Sequence, residues 1–96
     1  MIRHIVFFTA KKGEDVETIA EGLRALGRIP LSTVFEVTVN AKIDPLGNDV
    51  DIVVYGEFPD RAALDAYKRH PIYAETIRQV RPMRDLRLSA DFEASV

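Results

Sequence analysis

The chain has 96 residues, a formal charge of −2, 47% hydrophobic and 29% charged residues, and no cysteine. That is one domain's worth of chain (residues 1–96), and a domain of this size buries only about 60% of its unfolded surface. Without cysteine, disulfides and thiolate metal sites are excluded. The usual supports for a small core are then its own packing and a partner subunit.

The composition also bears on partners. A slightly acidic chain lacks the basic face that a polyanion partner favours, so no nucleic-acid partner is expected. No apolar run approaches the roughly 20 residues needed to cross a bilayer, so no membrane partner is expected either. The opening segment lacks a charged stretch before its apolar run and a small-residue cleavage site, and reads as a strand. A cytoplasmic location is expected, in keeping with the lack of cysteine.

Residues 2–10 are rich in Ile, Val and Phe. Ile5 and Phe7 share one face of that strand. His4, Val6 and Phe8 share the other. Both faces are apolar, so this strand wants cover on both sides. A turn centred on Gly13 follows. Val16, Ile19, Ala20, Leu23 and Leu26 then recur at helical spacing, predicting a helix over 15–26. Glu14, Asp15 and Glu17 complement its dipole, and Gly27 with Pro30 ends it.

Residues 31–40 alternate as a second strand. Residues 41–49 carry Asp44, Pro45, Gly47 and Asn48, the chemistry of a long hairpin loop. Residues 50–58 form a third strand, with Ile52 and Val54 on one face and Val53 and Tyr55 on the other. Asp60 is placed to cap a second helix. Its inner side runs through Ala63, Leu64, Ala66, Tyr67 and His70. Pro71 breaks it and opens a further turn, and Tyr73, Ile77 and Val80 continue the apolar face to about Arg81. Residues 86–92 alternate as a last strand with one wet face.

The order βαββαβ predicts a ferredoxin-like α+β fold, with a four-stranded antiparallel sheet and helices on one face. Ile5, Phe7, Val53 and Tyr55 then project from the other face. Such a patch marks an interaction surface, and a second copy of the chain is its simplest partner. Two sheets packed in this way would close into an α+β barrel.

The segment Ile2-Arg3-His4-Ile5-Val6-Phe7-Phe8 resembles the first strand of the stress-responsive A/B barrel (Dabb) family. Asp65-Ala66-Tyr67-Lys68-Arg69-His70-Pro71 resembles its helix motif, with a tyrosine three residues before His-Pro. The likeness covers most of the chain in element order and motif position. It implies a homodimeric barrel with a pocket between each sheet and its helices. In a plant polyketide cyclase of this family the pocket uses a first-strand histidine, a helix tyrosine and a second histidine. The matching positions are His4, Tyr67 and Tyr73. Tyr73 departs from that pattern, so the cyclase's acid–base set is incomplete.

The expected site therefore has His4 as acid or base, with Tyr67 positioning a substrate oxygen. Phe8, His70 and Tyr73 would line the ligand space. The ligand would be a small apolar or aromatic molecule, and the chemistry that of a cofactor-free lyase, cyclase or isomerase. The alternative is a non-enzymatic structural or stress-response dimer with a filled core, in which His4 is a core histidine held by one hydrogen bond. A cofactor-free monooxygenase on the same fold is a third reading. His70 has a plainer role available, bonding a free carbonyl at a helix end. No HxxxH or DxDxDG pattern suggests a metal, and none is expected. Arg78, Arg81, Arg84 and Arg87 recur at three-residue steps. They read as a solvated basic edge, with an anion site as the rarer alternative.

Overall fold

A computed structural model describes all 96 residues. Its elements are β1 (Ile2–Ala10), α1 (Val16–Arg24), β2 (Val34–Val39), β3 (Ile52–Phe58), α2 (Arg61–Arg69), α3 (Pro71–Val80) and β4 (Arg84–Glu93), with a 3₁₀ turn at Ala25–Arg28 after α1. The sheet order is β2-β3-β1-β4 and every pairing is antiparallel. This is the ferredoxin-like α+β arrangement.

The helix starts follow the sequence. Asp15 caps α1, its carboxylate accepting from the Thr18 N–H at 3.0 Å and the Thr18 hydroxyl at 2.8 Å. Asp60 caps α2 by accepting from the Ala63 N–H at 2.8 Å. Each such cap is worth about 1 kcal/mol. Pro71 takes the first position of α3, where its missing N–H costs nothing. The first helix is shorter than its apolar period suggests. It tightens into the 3₁₀ turn at Ala25, which still delivers Leu26 to the core.

The second and third strands also begin later than their alternation implies. β2 starts at Val34 rather than residue 31, because Leu31 N–H bonds back to Ile29 C=O in a turn. β3 starts at Ile52 rather than residue 50, where the Asn40 side chain takes the Val50 carbonyl at 2.8 Å. The last strand begins at Arg84, two residues before its alternation becomes regular, and a bulge against Phe8–Ala10 accounts for the irregular start.

The core lies between the sheet and the helices. His4, Val6 and Phe8 of β1, with Ile52, Val54 and Phe58 of β3, face Ile19, Leu23, Leu64, Tyr67 and Val80. Gly56 stands opposite His4 on this inner face. A Cβ there would come within 3.0 Å of the Phe58 ring. The missing side chain lets that ring lie beside His4.

On the opposite face Ile5 pairs with Tyr55 and Phe7 with Val53. All four are half-buried. Leu88 and Ala90 of β4 lie across from Phe7 and Ile5, so the apolar parity of β4 joins the same outward face. Leu88 and Phe92 are left largely exposed. The wet parity of β4, Arg87, Ser89 and Asp91, pairs with Phe8, Val6 and His4 and points toward the helix layer. β4 packs mainly along β1, and no helix runs along it. That overhang is why charged residues are tolerated on the inner side of the sheet. No helix is long and apolar enough to cross a membrane.

Candidate functional site

His4 sits in the middle of β1 and is 1% exposed. Its ring is flanked by Phe58, at a centroid distance of 6.2 Å, and by Tyr67, at 6.0 Å. Tyr67 in turn packs on Phe58 at 4.9 Å and on Tyr73 at 5.2 Å, edge to face. The four rings form one aromatic cluster, of which His4, Tyr67 and Tyr73 line a cavity between the sheet and the helices.

The register of β4 brings Asp91 directly opposite His4, and its carboxylate meets His4 Nδ1 in a short hydrogen bond. An ionised carboxylate only accepts, so Nδ1 carries the hydrogen. In the neutral ring Nε2 then holds a free lone pair. Nε2 makes no hydrogen bond within the protein, and neither does the Tyr67 hydroxyl. Arg3 Nε is the one fully buried side-chain polar atom without a partner. Both atoms therefore keep some accessible surface.

Burial lowers the His4 pKa below its ordinary value of 6.5; the hydrogen bond and charge of Asp91 oppose this, and Lys68 and Arg87 add to the lowering. The imidazole is neutral at pH 7. Burial pushes the Tyr67 phenol up, Tyr73 adds to this, and Arg87 opposes it. Tyr67 stays protonated and can donate to an oxygen. A neutral base beside a protonated donor is the arrangement that proton abstraction next to a carbonyl requires.

The space has two parts. The inner cavity is lined by His4, Val6, Phe8, Leu23, Leu26, Val54, Tyr67, Tyr73, Ile77 and Arg87, and its free volume is about 10 Å³. That is room for about one water. It adjoins an open groove of about 310 Å³ between α3 and β4. Phe8, Tyr73, Ile77 and Arg87 belong to both and form the neck, while Val80, Arg81 and Arg84 complete the outer part.

Of the residues singled out in the sequence, His4, Phe8, Tyr67 and Tyr73 come together on one cavity. His70 does not. It caps α3, its Nδ1 accepting from the Ile72 N–H at 3.1 Å, and it lines neither part. The ring accepts from a helix start rather than bonding a carbonyl at a helix end. Arg78 also leaves the arginine series, pairing with Glu75 on the surface of α3. Asp91 and Arg87 were not anticipated at the site. Both lie on the wet parity of β4, which the pairing with β1 turns toward the helix layer rather than to solvent. No three His, Asp or Glu side chains gather anywhere as a metal-ligand set.

A four-stranded antiparallel sheet with helices on one side places the chain in the class of ferredoxin-like α+β proteins. Within that class, the chain belongs to the stress responsive A/B barrel domain family, which it matches over residues 2–94. It is similar to a Dabb family protein with a ferredoxin-like fold from Mesorhizobium loti, with 28% identity, 97% of this chain and 95% of that one covered, and a TM-score of 0.78. A dimeric ferredoxin-like protein of unknown function from Jannaschia sp. shares 24% identity, with 97% and 98% covered and a TM-score of 0.82. The Arabidopsis thaliana protein At3g17210 shares 18% identity over 100% and 97% of the two chains, with a TM-score of 0.83. No match is found among the curated proteins.

Proposed function

We propose that the chain is a homodimeric small-molecule enzyme of lyase, cyclase or isomerase type, using His4 as general base without a cofactor. The observation that carries this is the pairing of buried His4 with the more exposed Asp91, which favours the proton on Nδ1 and leaves Nε2 unpaired on a ring that lines the cavity with Tyr67. In the proposed step Nε2 takes a proton from the carbon next to a ketone or thioester carbonyl. The electron pair moves to the carbonyl oxygen, where the Tyr67 hydroxyl donates a hydrogen bond. Asp91 stabilises the imidazolium that forms, and return of the proton to carbon or oxygen closes the step. The neck side chains Tyr73 and Arg87 must turn to admit anything larger than water.

The dimer rests on the outward patch of Ile5, Phe7, Val53 and Tyr55, extended by Leu88 and Phe92. Dimerisation through that face leaves the cavity and groove free. The same proposal includes a cytoplasmic location.

The test is exchange of the carbon-bound protons of 4-phenyl-2-butanone in heavy water. The protein should speed the exchange, and His4→Gln should lower the rate roughly 100-fold or more. No acceleration by the unmodified protein would favour the second reading, a structural or stress-response dimer with a filled core. The inner cavity's volume of about 10 Å³ speaks for that reading.

A further inference from the structure

Three arginines meet at the outer groove. Arg81 comes from the end of α3, Arg84 from the start of β4, and Arg87 from the inner face of β4. None of them is within 4.0 Å of a carboxylate. The ion pairs of the chain use Arg24, Lys42, Arg61, Arg78, His4 and the N-terminus. The only side-chain hydrogen bond among the three runs from Arg84 Nη1 to the neighbouring Asp85 carbonyl, at 3.1 Å. A chain with 15 acidic residues and a net charge of −2 thus leaves this groove without a counter-charge.

Helix-end electrostatics accounts for Arg81, since a cation suits a helix C-terminus. It does not account for Arg84 and Arg87, which lie on a strand and are half-buried. Three like charges lining one groove repel each other, and a bound anion relieves that repulsion. Guanidinium groups are also the side chains best shaped to hold a carboxylate. The remaining lining is apolar and aromatic: Phe8, Tyr73, Ile77 and Val80.

We propose that this groove binds an organic carboxylate, its acid group on Arg81, Arg84 and Arg87 and its apolar body against Phe8, Tyr73 and Ile77. This deepens the proposed function and rests on it for the role of the inner end. Arg87 and Tyr73 line groove and cavity alike, so a ligand anchored by its acid would direct its far end at His4 and Tyr67. The substrate class is then an aryl or alkyl acid with a carbonyl several atoms from the carboxylate.

The test is an NMR titration of the full chain with 4-phenylbutyrate, its neutral amide 4-phenylbutyramide, and inorganic phosphate. The acid should bind at least roughly tenfold more tightly than the amide and than phosphate. It should shift the signals of Phe8, Tyr73 and Ile77, and weaken with added salt. Arg84→Gln combined with Arg87→Gln should bring the acid down to the affinity of the amide. Equal binding of acid and amide, or no binding of the acid at roughly 10 mM, overturns the inference without any variant. Phosphate binding as tightly as the acid overturns the role of the apolar body. His4→Gln separates the two proposals. It should leave 4-phenylbutyrate affinity within about twofold while abolishing proton exchange. Selective acid binding by a protein that catalyses no exchange sinks the enzyme reading and keeps the anion site. Exchange without acid selectivity does the reverse.

Discussion

The two faces of this sheet are made by the same strands and put to different uses. On the helix side, β1 and β3 present His4, Val6, Phe8, Ile52, Val54 and Phe58, all fully buried. On the other side they present Ile5, Phe7, Val53 and Tyr55, half-buried and matched in register. β4 distinguishes the faces. It sends its apolar residues outward and its charged ones inward, because the helices end before they reach it. The outward face is apolar along β4, β1 and β3 and carries Arg3, Glu36 and Glu57 toward its rim, whereas the inner face is apolar in the middle and charged at the β4 margin. The proposed chemistry uses that margin, where Asp91 and Arg87 meet the buried rings, and the proposed assembly uses the apolar patch of the outward face.

The largest expected effect attacks the outward face. Phe7→Asp or Val53→Asp puts an unpaired carboxylate into the proposed interface, and two-fold symmetry puts it there twice. Each should cost about 3–5 kcal/mol of association. Sedimentation should show monomer or aggregate. An intact dimer at the same concentration would contradict the assignment of that face.

The inner face is tested by Phe58→Ala. Phe58 is 0% exposed, and the truncation should destabilise the fold by about 3–5 kcal/mol in chemical denaturation, independent of protein concentration. Leu88→Ala sharpens the contrast. Leu88 is 55% exposed in the single chain, so its loss should cost under about 1 kcal/mol where the dimer is dissociated and more where it is formed.

A smaller effect is expected at the charged margin. Asp91→Asn removes the charge that opposes burial at His4 and replaces the charge-assisted hydrogen bond by a weaker neutral one. The His4 pKa should fall further below 6.5, read by titration of its imidazole signals. An upward move would mean that Asp91 does not hold the ring.

The smallest effect is on stability against pH. His4 is held below its unfolded value of 6.5, so the unfolded chain takes up the proton first as pH falls. Stability from this group is level above about pH 7 and declines as pH drops through 6.5 toward the folded-state pKa. His4→Gln should remove that part of the slope, and an unchanged slope would place its origin elsewhere.

Much of this architecture could be read from alternation and end signals. β1 and β3 are marked by apolar residues of both parities, and Asp60 marks the start of α2, while Asp15, which by sequence falls in the first turn of α1, is its cap. His4, Phe8, Tyr67 and Tyr73 were legible because strand and helix periods fix which side chains turn inward. Asp91 was not, because a strand's own alternation does not say which parity faces the helices. That follows only from pairing with β1, a contact 87 residues away in sequence. His70 misled because its position matched a helix face, whereas Pro71 forces the chain into a new helix that His70 must cap. The arginine groove was half visible. The three-residue spacing was plain, but only the turn from α3 into β4 selects three of the four for one groove.

The account turns on where the proton sits on His4. Nitrogen-15 NMR of the imidazole at pH 7 reads this directly. A neutral ring with hydrogen on Nδ1 and an unprotonated Nε2 is the expected result, changing to a mixture of tautomers in Asp91→Asn. A ring protonated on both nitrogens, or carrying its hydrogen on Nε2 alone, would leave the cavity without a base and contradict the account.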